Sequence, residues 1–488
     1  MACPYPATII PHASWLPKKK ASNISPAATA HGAVQQPVHH NSATGASLPV
    51  SICNTLDKAI DRFIDPPERR PLVDPQRVLS GNFEPREAGV PVFPNFIAGF
   101  QGVAGLARMA VMFARALACQ ISMNMGFGLA NTSILFFAKH FYALCESDLP
   151  YTMCINPATG EVTTLSRCDF DGRRMIGMTV HPKKDPVTGE LFAFRYSLFQ
   201  PFLTYIWFDK AGNKADDVPI FSLQQPSMLH DFAITEHYAI FPESQLVMCP
   251  MNMALRGGSL IGLDSAMVQR IGVLPRYAKD ESEMRWFKVL GFNMLHTANA
   301  WEEANGEEII LVSTNNLSVK HMLGNMELMQ VQVDMIHINL RTGTVLCTAL
   351  SPESLEFGVI HQGYVGRYNR YGYFGVSAPL PRFSGIRKLD FAMVGADDCT
   401  VARRDFGPGC FVGKPFFVPS NDNGDGNEDN GYVVCYTHKE DTGESQFVVM
   451  DAMSPELEIV AAVQLPARVP YGFHGRFIMQ AELLSQQK

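Results

Sequence analysis

From about Phe137 onward the apolar positions fall in short runs, not in helical stripes. LFAFRYS (191–197), PFLTYIWF (201–208), EEIILVS (307–313), YGYFGVS (371–377) and YVVCYTH (432–438) are each rich in β-branched and aromatic residues. Turn-forming residues separate such runs, which predicts strands. Four connections share one step: Thr159-Gly160, Thr188-Gly189, Thr342-Gly343 and Thr442-Gly443. A hairpin needs positive φ at such a point, and glycine adopts it without steric cost. No repeat of fixed period is present, so the pattern alone predicts an all-β chain, either sandwich or propeller. Two earlier stretches read as helices. Leu56, Ile60, Phe63 and Ile64 form one apolar stripe, with Asp57, Lys58, Asp61 and Arg62 off it. In 103–121, Leu106, Met109, Phe113, Leu117 and Ile121 share a face, and Arg108 and Arg115 are the only charges. Either helix could pack on the β body or lie in a bilayer interface.

Composition narrows the class. The chain has 488 residues, 47% hydrophobic and 18% charged, with a net charge of -7. Mixed charges and an acidic balance argue against a nucleic-acid partner. The eleven cysteines have no paired short spacings and read as reduced thiols. No apolar run approaches the roughly 20 residues of a spanning helix. Residues 1–56 contain no Asp or Glu, and their only Lys or Arg residues are Lys18, Lys19 and Lys20. That composition predicts a plastid transit peptide; the other reading is a disordered tail. The remaining residues, 57–488, read as one domain. Ser420 opens SNDNGDGNEDNG (420–431), which lacks the glycine and glutamate order of a calcium loop and reads as a solvated hairpin.

Four histidines lie in crowded apolar settings. His181 is in VHPKKDP, His230 in SMLHDFAITE, His296 in NMLHTANAWEE and His474 in VPYGFHGRF. A buried neutral imidazole needs a partner for each ring nitrogen, or a metal. Taken one at a time, each reads as a satisfied core histidine. Their spacings of 49, 66 and 178 residues match no local metal motif, which needs ligands a few residues apart. The residues alone leave both readings open.

The words around them are more specific. HDFAITE (230–236), the HTANAWEE of 296–303 and VPYGFHGRF (469–477) closely resemble the carotenoid cleavage dioxygenase family, over about 66–477. FGVIHQGYVGR (357–367) looks most like the type 4 subfamily of plants. The resemblance implies a seven-bladed β-propeller with a few helices on its top face. It also implies an iron(II) on the axis held by His181, His230, His296 and His474, one ligand from each of several blades. Glutamates orient these imidazoles in the family, and they match Glu146 in ALCESDLPY and Glu356 in SLEFG. The implied activity adds both atoms of O2 across one conjugated C=C of a carotenoid or apocarotenoid, at the 9,10 or 9',10' bond. Alternatives are epoxycarotenoid cleavage toward abscisic acid, or a propeller that binds carotenoid or membrane without turnover. The implied setting is the plastid, with peripheral association to a membrane or plastoglobule.

Two departures from the family pattern stand out. A third glutamate belongs in a GEPFF-like motif, which here reads GKPFF and places Lys414 there. A cation cannot accept an imidazole N–H, and it repels a metal. After GNFEP (81–85) the family carries an RNGPNP-like motif and then FDGDGM; this chain passes from Pro85 to REAGV and PVFPNF. One blade is therefore expected to be incomplete.

Overall fold

The computed structural model describes residues 130, 132–146, 148–168, 170, 177–249, 261–322, 325–420, 427–469 and 474–487. The 1–56 segment, the two amphipathic stretches and the junction after Pro85 lie outside the described residues.

Strands come in up-and-down sheets that follow the sequence. The first is β1 (Ser133–Phe137), β2 (His140–Leu144), β3 (Tyr151–Ile155) and β4 (Val162–Arg167). The second is β5 (Lys183–Lys184), β6 (Leu191–Tyr196), β7 (Leu203–Phe208) and β8 (Val218–Ile220). The third starts with β9 (Ala233–Ile234) and β10 (Tyr238–Glu243), is interrupted by the hairpin β11 (Leu246–Met248) and β12 (Ile261–Leu263), and ends with β13 (Arg270–Pro275) and β14 (Arg285–Lys288). The fourth is β15 (Met294–Glu303), β16 (Glu308–Asn316), β17 (Val331–Asn339) and β18 (Val345–Ala349). The fifth is β19 (Leu355–Val359), β20 (Tyr371–Ser377), β21 (Phe383–Asp390) and β22 (Thr400–Asp405). The sixth is β23 (Cys410–Val412), β24 (Phe416–Pro419), β25 (Gly431–Lys439), β26 (Glu444–Asp451) and β27 (Ile459–Gln464).

Side-chain alternation makes these sheets blades. Successive residues of a strand point to opposite faces. On β16, Ile309 and Leu311 pack with Ile240 and Ile271 of the third sheet, while Ile310 and Val312 pack with Phe374 and Leu389 of the fifth. On β6, Leu191 and Ala193 join Leu135 and Phe137 of the first sheet, whereas Phe192 and Phe194 join Phe232 and Phe241 of the third. A strand buried on both faces must be apolar at every position, which is why EEIILVS reads as a continuous run. The initial strands β9, β15 and β19 touch one another around the centre. The four Thr-Gly connections close alike. Gly160, Gly189, Gly343 and Gly443 have φ of 70 to 77°, and each donates its N–H to the carbonyl four residues back.

The fold is thus an all-β propeller, but six blades, not seven, are present among the described residues. The absence of the usual sequence after Pro85 supplies the physical reason. Five apolar clusters join successive sheets from the first to the sixth. Between the sixth and the first there is no such cluster among the described residues. There the outer face of the first sheet (Phe136, Phe141, Met153 and Ile155) is met by Leu483 and Ile478 of the C-terminal segment. Leu483 lies on α1 (Gln480–Ser485), the only α-helix among the described residues, which flanks the first sheet. Gln486 then clamps both backbone groups of Ile155. On the sixth sheet, every residue of β27 is exposed. Of the acidic hairpin between β24 and β25, the described residues Glu428 and Asp429 are held by the fifth sheet. Glu428 accepts the N–H groups of Arg370 and Tyr371 at 2.7 and 2.8 Å, and Asp429 pairs with the buried Lys388.

Three sheets are locked together at the end away from the histidines. Arg276 is 2% exposed. It donates to Asp185 Oδ2 at 2.7 Å and to the carbonyls of Thr235 and Glu236, and it lies 4.1 Å from the Phe192 ring centre. Arg367, beyond the fifth sheet's first strand, reaches the same Asp185 at 3.2 Å. Burial pushes the Asp185 carboxyl up, but Arg276 and the amides of Val187 and Thr188 outweigh it and hold it below its ordinary value. Breaking one side of a buried pair leaves a desolvated charge, at a cost of about 3–5 kcal/mol. Arg276→Ala should lower the denaturant midpoint accordingly while the folded fraction keeps its metal-binding capacity. A midpoint equal to that of the unaltered chain would refute this role.

Candidate metal centre

The four histidines predicted from sequence meet at one end of the ring. His181 precedes β5, on a segment held to β6 by Thr179 N–H to the Phe194 carbonyl at 2.7 Å. His230 precedes β9. His296 lies on β15, where the register with β16 shifts between Met294 and Asn299. Such a bulge turns a side chain out of the regular alternation. Thr314 secures it: its hydroxyl accepts the His296 N–H at 3.0 Å and donates to Glu356 Oε1 at 2.7 Å. His474 comes from the chain beyond the sixth sheet.

Their geometry suits one ion. One ring nitrogen from each lies within 4.8 Å of the others. His230 Nε2 is 3.1 Å from both His181 Nε2 and His296 Nε2. Two nitrogens each about 2.1 Å from one metal, at a right angle, stand about 3 Å apart. His474 Nε2 is buried and has no hydrogen-bond partner, as a nitrogen reserved for a metal would be. These residues therefore fit a metal ion.

Both glutamates stand where the sequence reading puts them. Glu146 Oε1 is 2.6 Å from His230 Nδ1, and its other oxygen accepts from the Tyr196 hydroxyl at 2.9 Å. Both Glu356 oxygens are 3.0 Å from His296 Nδ1. A carboxylate at Nδ1 takes that nitrogen's proton as a hydrogen bond and leaves the Nε2 lone pair facing the centre. Burial, opposed by Glu146, leaves His230 below the ordinary imidazole range. Burial and the neighbouring histidines hold His181 well below it. Burial and then Lys414 do the same for His474. These three rings are thus neutral donors, ready for a cation.

Lys414 is where the GKPFF reading places it, beside His474. Its Nζ lies 5.8 Å from the Phe357 ring centre, and that ring is 5.6 Å from the His474 ring. Two imidazoles thus have a carboxylate behind them, while His474 has a lysine nearby. A cavity of about 190 Å³ opens from the centre, bounded by His181, His296, His474, Lys414, Val359 and Ile134. Sequence reasoning missed Tyr196 and Thr314, the groups that hold the two glutamates. Hydroxyl residues in strands carry no local signal for such a task.

The family described as retinal pigment epithelial membrane protein matches residues 76–479. The chain is 61% identical to "9-cis-epoxycarotenoid dioxygenase NCED2, chloroplastic" of Oryza sativa subsp. japonica, covering 100% of this chain and 99% of that protein. It is 44% identical to "Probable carotenoid cleavage dioxygenase 4, chloroplastic" of Arabidopsis thaliana, covering 90% and 86%. The rice comparison spans 569 aligned positions against 488 residues here, a difference of 81. That is room for one propeller blade, at about 40–50 residues each. Among solved structures, the lignostilbene dioxygenase of Pseudomonas brassicacearum shares the fold, with a TM-score of 0.62, 24% identity, and 72% and 75% of the two chains covered. With its propeller and its four gathered histidines, the chain belongs to the carotenoid oxygenase family.

Proposed function

We propose that this protein is a non-haem iron(II) dioxygenase that cleaves one conjugated C=C of a carotenoid or apocarotenoid, at the 9,10 or 9',10' position. The observation that carries this is the convergence of four imidazoles, three of them buried and two backed by buried carboxylates. In this reading His181, His230, His296 and His474 hold the iron. Bound iron(II) supplies a site where dioxygen and the polyene can be brought together. Both oxygen atoms end in the two carbonyl products, and no other reductant is consumed. The chain's share is positioning. Glu146 and Glu356 fix two rings in one tautomer and balance the added charge. Val359 and Ile134 give the cavity an apolar wall.

A second reading is cleavage of an epoxycarotenoid, favoured by the 61% identity to a protein of that name. The two readings share the metal and differ in the bond and ring accepted. Plastid residence is supported by relatives named chloroplastic, with residues 1–56 as the import signal and 57–488 as the working domain. Peripheral membrane association is supported by Phe199, Leu290, Leu317 and Leu328. All four are exposed at the histidine-side ends of the second, third and fourth sheets. No helix among the described residues is long and apolar enough to cross a membrane.

The test is expression of the chain in bacteria that accumulate carotenoids, with products separated by chromatography. Aldehydes or ketones carrying oxygen from labelled O2 are expected, and their chain lengths identify the bond. Carotenoid that stays intact in cells containing folded, iron-loaded protein would overturn the enzymatic reading.

A further inference from the structure

Asp231 is 2% exposed and follows His230 directly. Its carboxylate reaches two other blades. Oδ1 takes the Lys183 ammonium at 2.7 Å, and Lys183 stands two residues after His181 on β5. Oδ2 accepts the N–H of Thr297 at 2.9 Å, the residue after His296 on β15. The N–H of Phe232 is also satisfied by Oδ1, at 2.7 Å. One side chain thus touches the immediate neighbourhood of three of the four imidazoles, which come from three different sheets. We infer that Asp231 is a positioning residue for the metal centre: it sets the spacing of His181, His230 and His296 and neutralises the ammonium of Lys183.

This rests on the metal-site reading above and goes beyond it. Glu146 and Glu356 each orient one ring, whereas Asp231 ties strands together. A ligand set supplied by separate blades is only as exact as the ties between them, and errors of about 0.5 Å already matter for such sites. Charge works in the same direction. Lys183 acts electrostatically on both His181 and His474. Without its carboxylate partner it would oppose a second positive charge nearby. Charge-assisted hydrogen bonds of this kind are roughly twice as strong as neutral ones, and the Asp231 side chain is only 3% exposed. Asp231 lines the cavity together with Lys183 and Thr297, and its hydrogen bonds go to the neighbours of the ligating histidines, through which its effect on the metal is exerted.

The experiment uses the full chain, freed of metal and titrated with Fe(II) and with Co(II). The visible Co(II) spectrum reports ligand geometry. Asp231→Ala should weaken metal binding by about 10–100-fold and alter the cobalt spectrum of the fraction that stays folded, beyond what its loss of stability accounts for. Lys183→Met cuts one tie only and should weaken binding less. Adding Lys183→Met to Asp231→Ala should cost nothing more and should recover part of the loss, because the tie is already broken and the unpaired ammonium is removed. Asp231→Asn keeps one acceptor but loses the charge, and should fall between the unaltered chain and Asp231→Ala. Binding within twofold of the unaltered chain and an unchanged cobalt spectrum in Asp231→Ala would overturn the inference. So would a loss of binding matched by a loss of stability, with a normal spectrum in the folded fraction. If the unaltered chain binds neither metal, the metal-site reading itself is overturned and this inference with it.

Discussion

Replacing His230 by alanine should empty the metal centre and abolish carotenoid cleavage. His230 is the hub of the cluster, its Nε2 lying 3.1 Å from two of the other three ligating nitrogens. Its loss removes one donor outright and takes the imidazole away from the buried Glu146, which also accepts from Tyr196. A carboxylate left without its imidazole then costs stability, so the folded state must be verified by circular dichroism. Loss of an outer-shell partner alone costs about 10–100-fold in affinity or activity, and loss of a direct ligand should exceed that. The measurement is metal per chain by elemental analysis, with product formation alongside. A folded His230→Ala protein with full metal content and turnover would rule out His230 as a ligand.

The opposite change is expected at Lys414. Lys414→Glu should raise metal affinity by about 10–100-fold, the usual scale of an outer-shell carboxylate. Lys414 holds His474 well below the ordinary imidazole range, after burial itself, and the same charge repels a divalent ion. A glutamate there reverses the sign and offers an acceptor to an imidazole N–H, as Glu146 and Glu356 do for His230 and His296. Lys414→Gln removes the charge without adding one and should give a smaller gain. Competition with a chelator of known affinity measures both. The gain requires a ring that already holds the four histidines in place. If Lys414→Glu binds no better, the spacing set by the blades limits affinity, and a chain with the missing segment restored should bind more tightly than either.

Much of this was legible in the residues. Runs such as EEIILVS announced strands, and the Thr-Gly steps located four turns with positive φ. The histidine spacings, which fit no local motif, are what separate blades produce when each contributes one ligand. The number of blades was not legible, because the expectation of seven came from relatives that are longer than this chain. Contacts such as Asp231 to Thr297 span 66 residues and become neighbours only after β9 and β15 pack. Nothing in the sequence shows which strands Asp231, the residue after His230, would join. The contacts of Glu428 and Asp429 were hidden for the same reason: their partners Arg370, Tyr371 and Lys388 belong to another sheet.

The seam between the sixth and first sheets makes this propeller, among the described residues, an array with two ends. In an array whose units touch only their neighbours, opening begins at the ends and moves inward. The first and sixth sheets should then exchange their amide hydrogens soonest, and the third and fourth last. His230 and His296 belong to the slow interior, whereas His474 rides on the segment that bridges the fast ends. A metal bound by all four imidazoles would work as a clasp, slowing exchange most at the place farthest along the chain from His230.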